Sequence, residues 1–250
     1  MKLNDKSIVE NMRNANKFWF NYHIGKLNKP VDRTEWDMTP QTYNAYYNPS
    51  NNEIVLPAGI FVIPGHKDAE IDDAVIYGYA AASTIGHEIT HGFDDEGRQF
   101  DDKGNLQNWW QEEDEKKFNE KAARYVDQFN NYVVLDSLHI NGKATLGENI
   151  ADLGGLVIAL DAFKKTVQFK EGKTIDGLTP LQRYFLGYAL GWLGHAREEE
   201  LASRVMTDVH SPPFLRVNGP FSNIDDWYDA FGIQKGEKMW RDGSDRVKIW

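Results

Sequence analysis

The stretch beginning near Thr145 and running through Thr166 sets the tightest limit on what this chain can fold into. Drawn as a helix, it places Glu148 and Asp152 on one face with Gly155 and Ala159, while Ile150, Leu153, Val157 and Leu160 occupy the remaining sides. A helix that is apolar nearly all round has to be buried. Its strip of small residues marks a line along which another helix can pack very close. Two carboxylates on such a helix are costly unless something positive meets them. A metal ion for Glu148 and a metal-bound imidazole for Asp152 would satisfy both. The plainer alternative is that Glu148 only complements the positive end of a helix dipole.

Upstream lies a segment with the matching chemistry, His87-Glu88-Ile89-Thr90-His91. Histidines four residues apart sit about 40° apart around a helix axis, so both imidazoles can reach one ion at roughly 2.0–2.1 Å. Glu88 is about 100° from His87, close enough to act on a metal-bound water without displacing a ligand. Ile76, Ala80, Thr84, His87 and His91 form one helical stripe, which turns the histidines inward. Buried histidines are ordinarily core residues with satisfied hydrogen bonds; a pair at this spacing with Glu between them reads as a metal site. His87, His91 and Glu148 then supply the three protein ligands usual in catalytic zinc sites, and two imidazoles with a carboxylate suit Zn2+. Asp152 is placed to accept the free ring N–H of a histidine ligand and fix its tautomer.

Elsewhere the periodicity predicts an amphipathic helix over residues 5–24 and a loop bracketed by Pro30 and Pro40. Short strands are expected at Tyr43–Asn48 and Glu53–Leu56, then a long helix from about Ala69 to Gly92. Further helices are expected over 112–130, 145–166, 179–194, 198–208 and 224–231. The fold class is therefore α+β, mostly helical, with a small β-sheet near the N-terminus. A length of 250 residues fits one domain, 1–250. A net charge of −10 argues against nucleic acid as a partner. The absence of cysteine rules out disulfides, thiolate ligands and a cysteine nucleophile. Neither a signal peptide nor a membrane-spanning run is read in the sequence, so a soluble, cytoplasmic protein is expected.

Gly86-His87-Glu88-Ile89-Thr90-His91-Gly92-Phe93-Asp94-Asp95 resembles the neprilysin and endothelin-converting-enzyme family of zinc metallopeptidases, and Thr145-Leu146-Gly147-Glu148-Asn149-Ile150-Ala151-Asp152 is similar to its second motif. Asn44-Ala45-Tyr46-Tyr47 with Glu53-Ile54-Val55-Leu56-Pro57-Ala58-Gly59 looks like the family's substrate-aligning edge strand. Asp208-Val209-His210-Ser211-Pro212, followed by Arg216-Val217-Asn218-Gly219, looks like its late catalytic segment, and Arg246 to Trp250 like its carboxyl terminus. The cysteine-free chain looks more like the family's bacterial oligoendopeptidases than its animal ectoenzymes.

The resemblance implies a zincin-like, thermolysin-like catalytic domain hydrolysing oligopeptides, with one Zn2+ on His87, His91 and Glu148. It implies Glu88 as general base, Asp152 as the histidine-orienting carboxylate and His210 as stabiliser of the oxyanion. Arg216 would bind a peptide carbonyl, and Asn44 and Ala45 would hold the substrate as an added strand. The family's pocket for the residue after the scissile bond is apolar; here Ser83 and Thr84 stand where relatives usually carry larger apolar residues. The family's N-terminal helical lid domain is expected to be absent. Three forms follow: a self-sufficient peptidase with an open cleft, a zinc-binding but non-catalytic peptide-binding module, and a catalytic half that needs a separate lid chain or self-associates.

Overall fold

The computed structural model describes residues 1–63 and 65–249. Trp250, the last residue of the carboxyl-terminal motif, lies outside them. The chain divides into two compact units, Met1–Asp37 and Met38–Trp250.

In the first unit, helix α1 (Ile8–Ile24) starts later than the periodicity predicts because Ser7 caps it, its hydroxyl accepting the Glu10 N–H at 3.2 Å. Its apolar positions do not form a buried stripe: no residue of α1 is buried. The rings of Phe18, Trp19, Tyr22 and His23 instead pack on one another along the helix.

The second unit opens with a hairpin, β1 (Tyr46–Asn48) antiparallel to β2 (Glu53–Val55), Tyr46 opposite Val55. The turn between them uses Asn52 at φ 46, a left-handed conformation that asparagine tolerates. The expected long helix is three consecutive pieces: α2 (Asp73–Ile76), a π-helical segment (Tyr77–Gly86) and α3 (His87–His91). The wider π turn breaks the 3.6-residue phase, so Ile76 and Ala80 are only half-buried while Ala74, Gly78, Ala82 and Gly86 face inward.

α4 (Glu112–Asn130) leads into a second hairpin, β3 (Val133–Leu135) with β4 (Leu138–His139), too short to leave an alternating signature. Then follow α5 (Leu146–Phe163), α6 (Val167–Glu171), α7 (Pro180–Leu190), α8 (Glu198–Thr207), α9 (Pro213–Phe221) and α10 (Asp225–Phe231). Among the described residues the unit is mostly helical with two small antiparallel hairpins, in keeping with the expected class.

Helix α5 is the axis of the core. Ile150, Ala151, Asp152 and Leu156 are fully enclosed, though Val157 and Ile158 are exposed on the remaining side. Its small-residue strip does what the sequence requires. A Cβ on Gly155 would stand 2.4 Å from the Ala82 carbonyl oxygen and 2.7 Å from the His87 nitrogen, so α5 and the π segment cross backbone to backbone. Gly154 meets the Thr90 side chain in the same way. On the other flank α7 begins with a capping box at Thr179 and Gln182 and a proline at its first turn. It brings Tyr184, Phe185 and Tyr188 against Phe163 and Phe221. The result is a closely packed pair of crossed helices, one carrying His87 and His91, the other Glu148 and Asp152.

Candidate metal centre and groove

The crossing brings His87, His91 and Glu148 together, with one ligand atom of each within 4.8 Å of the others. The two imidazoles are oriented from behind. His87 donates its Nδ1–H to Asp152 Oδ1 at 2.9 Å, and His91 donates its Nδ1–H to Asp94 Oδ2 at 2.7 Å. Both Nε2 atoms are thereby turned inward, 3.0 Å apart. Glu148 Oε2 is 3.4 Å from the His87 Nε2 and Oε1 is 3.7 Å from the His91 Nε2. Two nitrogen lone pairs and a carboxylate meeting at such distances demand a cation. A tetrahedral ion with bonds of about 2.0–2.1 Å has ligand–ligand edges of roughly 3.3–3.4 Å, close to the three separations found. The residues therefore fit Zn2+.

The electrostatics carry the same message. Burial alone would lower the His87 pKa, yet its hydrogen bonds to Asp152 and Glu148 raise it to about 9. Burial works against ionised Glu148 as well, but His210, His87 and Arg216 hold it far below the usual carboxylate range. Asp152 is fully buried and still depressed, because Arg216 and then His87 neutralise it. The site is built to hold positive charge between acidic walls.

Glu88 lies beside this cluster on the groove side of α3, buried, its pKa pushed up chiefly by burial and partly countered by His87, His91 and a backbone hydrogen bond from Tyr47. The groove holds about 560 Å³, and its lining includes Asn44, Ala45, His210 and Arg216. All nine residues singled out in the sequence therefore lie in or behind one groove, eight on its lining and Asp152 just behind.

His210, in the loop before α9, and Arg216 both make contacts at the cluster. The His210 Nε2 sits 3.2 Å from Glu148 Oε1, while its Nδ1–H donates to Asp208 at 2.7 Å. The following residue, Ser211, donates to Asn149 at 2.8 Å and so pins this loop to α5. Arg216 is on α9, a helix missed from sequence although Pro213 at its start is a helix-opening signal. Its guanidinium lies over the Trp192 ring at 4.1 Å and is largely committed to Asp152.

Asp94 and Asp208 are the orienting residues that sequence reasoning passed over. Each stands within three positions of the histidine it holds, and that spacing was the available signal. Asp94 also accepts the Glu96 and Gly97 N–H groups, which closes the turn after α3. Its neighbour Asp95 is different: burial, then the charge of Asp94, raises it to about 6, and its buried Oδ1 has no hydrogen-bond partner among the described residues.

Residues 44–247 match peptidase family M13. The chain is 38% identical over 246 residues to a neutral endopeptidase of Lactobacillus helveticus, covering 98% of this chain and 36% of that protein. It is 39% identical over 242 residues to an endothelin-converting enzyme homolog of Locusta migratoria, covering 96% and 33%. Among solved structures it superposes on a Mycobacterium tuberculosis zinc metalloprotease in complex with an inhibitor, with a TM-score of 0.86 and 43% identity over 92% of this chain and 36% of that one. The chain thus spans about a third of the length of these relatives. Among the described residues, no helix is long and apolar enough to cross a membrane.

Proposed function

Because the chain belongs to peptidase family M13, we propose that it is a zinc-dependent endopeptidase that hydrolyses oligopeptides with His87, His91 and Glu148 as metal ligands. The observation that carries this reading is the convergence of both Nε2 atoms on Glu148 with Glu88 beside them in an open groove. Bound zinc would polarise a peptide carbonyl and lower the pKa of a water towards about 7. Glu88 would take the proton from such a water and pass it to the leaving amine; its burial favours the protonated form it would adopt in between. His210, aimed by Asp208, donates from Nε2 to the oxyanion of the tetrahedral intermediate. Arg216 has its Nε and Nη2 engaged with Asp152, which leaves Nη1 for a substrate carbonyl. Asn44 and Ala45, leading into β1, hold the peptide as an extra strand through main-chain bonds.

The test is a peptide-library digest by zinc-loaded protein, read by mass spectrometry, beside Glu88→Gln. The variant should keep its zinc and lose nearly all turnover; substantial hydrolysis by a zinc-loaded Glu88→Gln protein would remove Glu88 from this role.

A further inference from the structure

The end of the groove away from Glu148 is built differently from the metal end. Ser83 lies one turn before His87 and Tyr79 one turn before Ser83, so the π segment forms the floor. The Ser83 hydroxyl is turned back to donate to the Tyr79 carbonyl, so at this position the groove gains space rather than a free polar group. Gly191 lies against the Tyr79 ring, a Cβ there being in ordinary contact with it at 3.5 Å. Ile60 and the Trp192 ring complete apolar walls. Tyr43 and Tyr79 also line the groove, and their hydroxyls hydrogen-bond to each other. In that pair one O–H is spent on the partner oxygen, and the other remains to donate elsewhere.

We infer that the Tyr43–Tyr79 hydroxyl pair is a specificity-determining end wall, selecting at one residue flanking the scissile bond a long side chain with a hydrogen-bonding tip, tyrosine over phenylalanine. This rests on the peptidase reading above and names the substrate chemistry of the same groove. The short side chain of Ser83 leaves room on the floor for a ring, and the apolar walls favour its faces. A phenylalanine seated there would strip water from the free phenol O–H and give nothing in return, whereas a tyrosine hydroxyl replaces the lost bond. Sites that hydrogen-bond a substrate hydroxyl reject its deoxy analogue strongly when closed to water. Tyr43 is 53% exposed, so the preference here should be modest, about fivefold.

The experiment uses zinc-loaded protein and paired peptides that differ only by Tyr or Phe at either residue flanking the cut. The wild type should show kcat/KM about fivefold higher for Tyr at one of the two positions. Tyr79→Phe and Tyr43→Phe, which keep the rings, should each bring the ratio towards one. Equal values in the wild type, or a tyrosine preference that survives both variants, would overturn the assignment. If the zinc-loaded wild type cleaves neither peptide, the peptidase reading fails. The same pairs are then ranked by calorimetric Kd, where the same ratio and its loss in the two variants support the end wall and equal affinities overturn it.

Discussion

Arg216 grips Asp152 through two N–H···O bonds, Nε to Oδ2 at 2.7 Å and Nη2 to Oδ1 at 2.8 Å, while that same Oδ1 accepts the His87 Nδ1–H. One buried carboxylate thus fixes both a proposed metal ligand and the cation that compensates it. Removing the guanidinium strands Asp152 with too little positive charge, and breaking a buried pair in this way costs about 3–5 kcal/mol. Arg216→Met should lower the unfolding free energy by about that much in equilibrium urea titrations. Arg216→Lys keeps the charge but not the fork, and should fall between. Wild-type stability in Arg216→Met would show that the pair does not support the fold.

Asp94 and Asp152 each hold one of the two histidines through its Nδ1–H. Outer carboxylates of this kind raise ligand basicity, and their loss typically weakens metal binding by about 10- to 100-fold. Asp94→Asn and Asp152→Asn should each show that drop in zinc affinity by competition with a chromophoric chelator. Unchanged affinity in Asp94→Asn would reduce Asp94 to its second task, accepting the Glu96 and Gly97 N–H groups.

Asp95 makes a pH-dependent prediction. Its pKa is raised to about 6 in the fold, against about 3.9 in an unfolded chain. Between those values the folded protein binds a proton that the unfolded chain does not. Asp95 is therefore unfavourable above about pH 6, and the penalty fades as the pH falls through 6 towards 4. The group is partly exposed, so solvent screening cuts the effect to about 1 kcal/mol. Asp95→Asn should raise Tm at pH 7.5 by about 2–4 °C, with the gap closing near pH 4. Melting curves that differ by the same amount from pH 4 to 8 would show that Asp95 titrates normally.

The clustering of His87, His91 and Glu148 was legible in the sequence because two features constrain each other. His87 and His91 at helical spacing need a third ligand, and the carboxylates on α5 need a cation. Gly155 and Ala159 even marked the face along which the helices approach. What escaped is what depends on tertiary geometry. The π segment at Tyr77–Gly86 leaves no periodic trace distinct from an α-helix, yet it sets where Tyr79 and Ser83 face. Asp94 and Asp208 are surface-like residues by type, and only the positions of His91 and His210 give them a task. The apolar residues of α1 show the reverse error: periodicity foresaw the helix, but not that none of them is buried.

Gly155 tests how far the site depends on the helix crossing. The atoms that a Cβ would strike, the Ala82 carbonyl oxygen at 2.4 Å and the His87 nitrogen at 2.7 Å, are both backbone and cannot rotate away. Gly155→Ala therefore has to push α5 off the π segment. Overpacking of this kind costs typically about 1–3 kcal/mol. The displacement also separates His87 from Glu148, which ride on the two opposed helices, so zinc affinity should fall together with stability. Gly243→Ala is the control: among the described residues nothing lies within 4 Å of its Cβ position and its φ is ordinary, so it should stay within about 0.5 kcal/mol of wild type. Urea unfolding and zinc titration of both variants give the answer. If Gly155→Ala matches the control in both measurements, the close crossing does not set the ligand geometry.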